Sequence, residues 1–271
     1  MVLVASADLA LRLVASFAAG AGVVALVTGL ADYFGEGPAG FIGGLPTAGA
    51  VNLLSIGLTQ STSAAIQATT LFPLGFGGTY AFLLFYSAPK KLGFGNRMLL
   101  ALGLWLPISA GVAFLAPDDF TTSVIVSFAI AIVLLLMRTK VSTGRVVFYP
   151  TRSNARLVAI RGVVGGLAVL AVVALSVVSG PLVGGAFAAA PAIWSSSLYV
   201  TSRTKGIEFS RSLTWTFMQA GILTVIPYGI AARLLFSAVG VWWGTLLSYV
   251  AISPLALVAW KLTNRKAPRR S

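Results

Sequence analysis

Apolar stretches of about 20 residues follow one another along the whole chain, separated by short clusters of Gly, Pro, Asp, Lys and Arg. Each stretch is long enough to cross a hydrocarbon core of ~30 Å as a helix. The pattern predicts about nine spans: Leu11 to Leu30, Pro38 to Leu58, Ser63 to Tyr86, Met98 to Ala116, Thr121 to Met137, Leu157 to Ser179, Pro181 to Val200, Leu213 to Phe236 and Val239 to Trp260. Eight or ten are the alternative counts. Asp32, Glu36 and Gly37-Pro38 end the first span, and Pro117-Asp118-Asp119 turn the chain between the fourth and fifth. Two spans are interrupted. The run Gly43 to Thr47 breaks the second near its start, and Pro73 with Gly75, Gly77 and Gly78 breaks the third.

The interruptions recur, in order, about 145 positions later. Gly37-Pro38 and Gly43-Gly44 return as Gly180-Pro181 and Gly184-Gly185, and Pro46 finds a counterpart in Pro191. Thr70, Pro73 and Gly75 form a T-x-x-P-x-G motif that reappears as Thr224, Pro227 and Gly229. The tetrapeptide Arg12-Leu13-Val14-Ala15 is repeated at Arg156 to Ala159, and Pro107 and Pro254 close the two units. The expected architecture is therefore an all-α, polytopic membrane protein of two four-helix repeats. They occupy residues 1–119 and 156–271, with a linker helix and basic connector at 120–155.

Composition agrees with the pattern. The 271 residues are 58% hydrophobic and only 9% charged, with a mean hydropathy of +0.94, where a soluble domain has about 25% charged residues. The first apolar stretch is long enough to span and lacks a basic leader, so it is taken as the first helix and not as a cleaved signal. With neither Cys nor His present, disulfides, imidazole or thiolate metal sites and Cys/His catalysis are excluded. No carboxylate pair or phosphate loop replaces them, so an enzyme is not expected, and neither is a cofactor or a metal. The net charge of +13 is explained by the positive-inside rule. With the amino terminus outside and nine spans, every Lys and Arg except Arg12 and Arg233 falls on the cytoplasmic side, where anionic headgroups are the expected partner. Nucleic acid is not. Self-association into a homo-oligomer stays open.

One linker helix between two four-helix units turns the second unit upside down in the bilayer. Inverted repeats with matched broken helices point to a secondary transporter whose site lies at the breaks. The candidate substrate-binding residues are Pro46, Thr47, Asn52, Gln67, Thr70 and Pro73 in the first half, and Pro191, Ser195, Gln219, Thr224 and Pro227 in the second. Asn52, Gln67 and Gln219 are the sharper candidates, because an amide at membrane depth has donors and acceptors to satisfy. The Asp and Glu residues all fall near predicted helix ends, so a buried-carboxylate proton relay has no carrier and a charged cargo would be an anion. Arg12 and Arg161 are the candidates to meet it, with snorkelling to the headgroups as their other role. The competing reading is a non-transporting scaffold or subunit of an envelope assembly, in which the prolines and glycines serve packing.

Two resemblances follow from these residues. The stretch Phe41 to Gln60, FIGGLPTAGAVNLLSIGLTQ, resembles the glycine-proline core of small four-helix prokaryotic membrane proteins of the GlpM type, which implies a prokaryotic plasma membrane. The plan of four helices, a linker helix and four more resembles the drug/metabolite transporter superfamily, which implies export of a solute or drug. Small multidrug transporters carry a glutamate in their first helix. This chain has no acidic residue between Asp8 and Asp32, which points away from cationic-drug/proton antiport. The expected function is thus transport of a small polar or anionic solute, or a lipid headgroup, by alternating access.

Overall fold

The computed structural model describes residues 2–34, 45–89, 91–137 and 155–263. Gly37-Pro38, Gly43-Gly44, most of the basic connector and the basic tail from Asn264 lie outside these described residues. All regular structure among them is helical: α1 (Val2–Phe34), α2 (Thr47–Thr59), α3 (Thr62–Ala68), α4 (Phe72–Ser87), α5 (Phe94–Leu115), α6 (Phe120–Met137), α7 (Ala155–Ser179), α8 (Pro181–Ala188), α9 (Ala192–Lys205) and α10 (Ile207–Thr263). Four of them are long and apolar enough to cross a membrane, or five when α3 and α4, bent by 49°, count as one span.

The 57 residues of α10 would extend ~85 Å as a straight helix, far beyond a bilayer core. Gly240 prevents that. Its φ of 77° and ψ of 174° are open to glycine and costly for other residues. The chain folds back there, and the rings of Tyr228 and Tyr249 lie 5.4 Å apart across the hairpin. The break expected between Phe236 and Val239 falls at this residue, giving the segments 207–239 and 241–263.

Prolines set four of the other helix starts. Pro46 precedes α2 and Pro191 precedes α9, Pro181 opens α8, and Pro73 sits in the first turn of α4, where a missing N–H costs nothing. Ser61, extended at φ −169°, caps α3 by accepting from the Ala64 amide at 3.1 Å. The two T-x-x-P-x-G copies part company here. Thr70 to Pro73 spans a true break between α3 and α4, whereas Pro227 stays inside α10.

Packing rests on small residues. α1 and α7 make the most extensive helix pair, and Phe17 meets Gly166 while Ala21 meets Gly162. At the crossing of α3 and α4 with α8, a side chain at Gly185 would overlap the Ala68 carbonyl, and one at Gly75 the Ala186 carbonyl. Backbones in contact at glycine is how helices gain van der Waals packing where lipid removes the hydrophobic drive between them. Around this crossing Phe72, Tyr80, Phe82 and Tyr228 are fully enclosed. The outer surface carries Leu99, Phe114 and Trp242, exposed by 72, 67 and 64%. Apolar cover of this extent belongs against lipid, since soluble proteins keep such patches small.

Candidate functional site

The two prolines paired in the sequence adopt the same local structure. Pro46 has φ −77° and ψ 51°, and Pro191 has φ −78° and ψ 32°. At each, the following amide turns back two residues, Thr47 to Leu45 O at 2.8 Å and Ala192 to Ala190 O at 2.9 Å. The proline carbonyl then accepts the first full helical bond, from Ala50 at 2.9 Å and from Ser195 at 2.7 Å. Proline offers no side-chain acceptor, and neither helix start is capped by a side chain. The partly positive N-terminal ends of α2 and α9 therefore stay open.

Both ends line one cavity of about 70 Å³, room for roughly five water-sized groups. Thr47, Ala48 and Gly49 form one side, and Pro191, Ile193 and Trp194 the other. Phe72, Phe76 and Thr79 of α4 and Ala220, Thr224 and Val225 of α10 close it. Phe76 packs edge-on against Trp194 with centroids 5.3 Å apart, and Trp194 stacks on Phe217 at 5.5 Å. The walls are therefore aromatic and stiff. The carbonyls freed where α8 ends are met from the first half of the chain. Asn52 Nδ2 donates to Ala188 O at 2.7 Å, and Thr79 Oγ1 to Ala189 O at 2.5 Å.

Of the residues singled out from sequence, Pro46, Thr47, Pro191 and Thr224 line the cavity. Asn52 sits beside it, 1% exposed, with its Oδ1 lacking a hydrogen-bond partner among the described residues; the Oγ of Ser195 is in the same condition. Thr70 lies in the α3–α4 break and Pro73 just beyond it. Gln67 is exposed on α3, and Gln219 is half-buried on α10 outside the lining. Pro227 is also outside the lining, Arg161 is half-buried on α7, and Arg12 contacts Asp8 and Thr59. Thr79 was missed. Its signal was the one threonine in the apolar run of α4, one turn past the Pro73–Gly75 motif.

Cations occupy the opposite helix ends. Arg12 Nη1 donates to Thr59 O at the end of α2 (3.0 Å), and Arg233 Nη1 to Ile66 O at the end of α3 (3.2 Å). Arg97 and Arg211 donate to Tyr86 O (3.1 Å) and Ser87 O (2.9 Å) at the end of α4. Guanidinium groups thus cover the negative ends of three broken helices, while the positive ends of α2 and α9 face the cavity. Arg97, expected in a polar loop, is instead wholly buried in the first turn of α5, where Nε also donates to Leu92 O at 2.6 Å. A fork of five donors suits a cluster of unpaired carbonyls. Among the described residues no group of His, Cys, Asp and Glu is placed to hold a metal ion.

Fold and surface together define a class: an all-helical protein with several helices long and apolar enough to span a membrane, and with a small, partly open cavity where two helices start. Compared with known proteins, the chain matches no family model, no curated protein and no solved structure. Its function must be argued from its own geometry.

Proposed function

We propose that this chain is a membrane transporter or facilitator, built from nine spans in two inverted four-helix halves, that moves a small polar or anionic solute or a lipid headgroup by alternating access. The observation that carries the proposal is the matched pair of helix starts at Pro46 and Pro191, one from each half, facing the same cavity. Discontinuous helices whose N-terminal ends meet a solute at the interface of two repeats are a recurring transport device. Open helix starts favour a cargo that accepts hydrogen bonds or carries negative charge.

The test is flux in proteoliposomes with a panel of small anions, polar solutes and short-chain headgroup analogues. Ala190 lies in the lining between α8 and α9, and Ala190→Leu fills the cavity without touching the helix crossings. Flux through the native protein should fall about tenfold or more in this variant, as expected when a small pocket loses its volume, with the melting temperature held. Equal flux in both proteins would remove the cavity from the path. Native protein that passes nothing in the panel would favour the scaffold reading.

A further inference from the structure

The first segment of α10 carries polar contacts at both of its ends, with the cavity between them. At one end Tyr86 and Ser210 are joined through their hydroxyls at 2.7 Å. Ser210 Oγ donates to Leu198 O at 2.9 Å, so it accepts from the tyrosine. Beside it Arg211 Nε donates to Ser87 O at 2.9 Å, while its Nη1 is held by Glu208 at 2.9 and 2.7 Å. At the other end Arg233 Nη1 donates to Ile66 O, Thr69 Oγ1 and Thr70 Oγ1 at 3.2, 3.3 and 3.0 Å. The guanidinium also lies 4.6 Å from the Phe120 ring centroid. Arg211 and Arg233 are ~33 Å apart along a helix, about the thickness of a hydrocarbon core.

We propose that these two clusters are the alternating latches of the cavity, the Tyr86–Ser210–Arg211 cluster closing one membrane face and the Arg233–Thr69–Thr70 cluster the other. The proposal rests on the transport reading of the cavity. Between the latches α10 instead sets glycine against apolar rings: Gly221 on Phe76 of α4 and Trp194 of α9, and Gly229 on Phe72 and Pro73 of α4. Smooth contacts of this kind act as a fulcrum, and the polar contacts break and form as α10 rocks on α4. The Arg233 latch grips the α3–α4 break itself, so releasing it frees the hinge about which α4 would swing. Both latches are made in this conformation, while the cavity between them stays partly open. Packed elements with two discrete arrangements and polar contacts at their ends are how a small shift becomes an opening.

The chain has no cysteine of its own, so a single Thr224→Cys reports from the cavity. A membrane-impermeant thiol reagent is applied to each face of sealed vesicles in turn. Arg211→Ala should raise the labelling rate about tenfold from the Arg211 face only, the effect of losing one or two hydrogen bonds to closure. Arg233→Ala should do so from the opposite face only. Tyr86→Phe and Thr70→Val, each losing a single hydroxyl, carry the same test if an arginine variant does not fold. Labelling that rises equally from both faces, or in none of the four variants, overturns the latches. The readout needs no cargo, so the two proposals fail separately. One-sided labelling shifts without flux of any solute would sink the transport reading, and flux with unshifted labelling would sink the latches.

Discussion

Gly185 and Gly22 illustrate how little the identity of a residue says before its neighbours are known. Both are helical glycines in apolar runs. At Gly185 a Cβ would overlap the backbone carbonyl of Ala68, which cannot swing aside, and at Gly22 it would meet nothing within 4 Å. Gly185→Ala should therefore cost about 3 kcal/mol, the upper range for overpacking a tight contact. Gly22→Ala should gain about 0.5–1 kcal/mol from reduced backbone freedom in the unfolded chain. Melting curves of both variants in detergent check the pair, and equal shifts would mean that the α3–α8 crossing is misplaced. Sequence gave no means to rank these glycines, since both sit in repeat-like surroundings. Arg97 was equally opaque: a lone arginine before an apolar span reads as an interface anchor, and its burial is understood once its donation to the carbonyls of Leu92 and Tyr86 is seen.

At the scale of elements, what was legible came from proline. Pro46 and Pro191 were paired from their order in the chain, and both prove to be helix starts with the same backbone turn. Pro73 and Pro227 share a stronger motif yet behave differently. Ile66 O at the end of α3 accepts from Arg233 as well as from the Thr69 amide and hydroxyl, so this carbonyl is satisfied where the chain turns. Around Pro227 no side chain among the described residues offers such help, and the helix continues past its missing hydrogen bond. Satisfaction of freed carbonyls by distant side chains is a tertiary fact that a motif does not contain. A different helix start can be tested by pH. Hydrogen bonds from the Thr122 hydroxyl and from its amide, the latter at 2.6 Å ahead of α6, hold the Asp119 carboxylate below the ordinary pKa range, with weaker help from Arg233. A depressed pKa contributes stability above the unfolded value of about 3.9 and loses it as pH falls through the folded value. Asp119→Asn should therefore narrow the gap in melting temperature between pH 6 and pH 3. A gap unchanged from native would show that this carboxylate takes no part.

For the whole molecule, alternation of apolar runs and breaks was enough to read an all-helical, lipid-facing chain, because the bilayer forces backbone groups to pair within helices. The cavity lining was only partly legible. Thr47 follows a marked proline and Thr224 opens the second T-x-x-P-x-G copy, but Gln67 and Gln219, chosen as amides at membrane depth on the polar faces of broken spans, do not reach the cavity. Polarity says that a side chain needs a partner; it does not say which way the helix turns it. Inversion of the two halves is the claim on which transport, cavity and latches all depend. The measurement that reaches it most directly is thiol labelling of Asp8→Cys and Ala155→Cys, one at a time, in sealed vesicles of known orientation. Asp8 begins the apolar span within α1 and Ala155 begins α7, the first helices of the two halves. The account predicts that they react from opposite faces of the membrane, and reaction of both from the same face would contradict it.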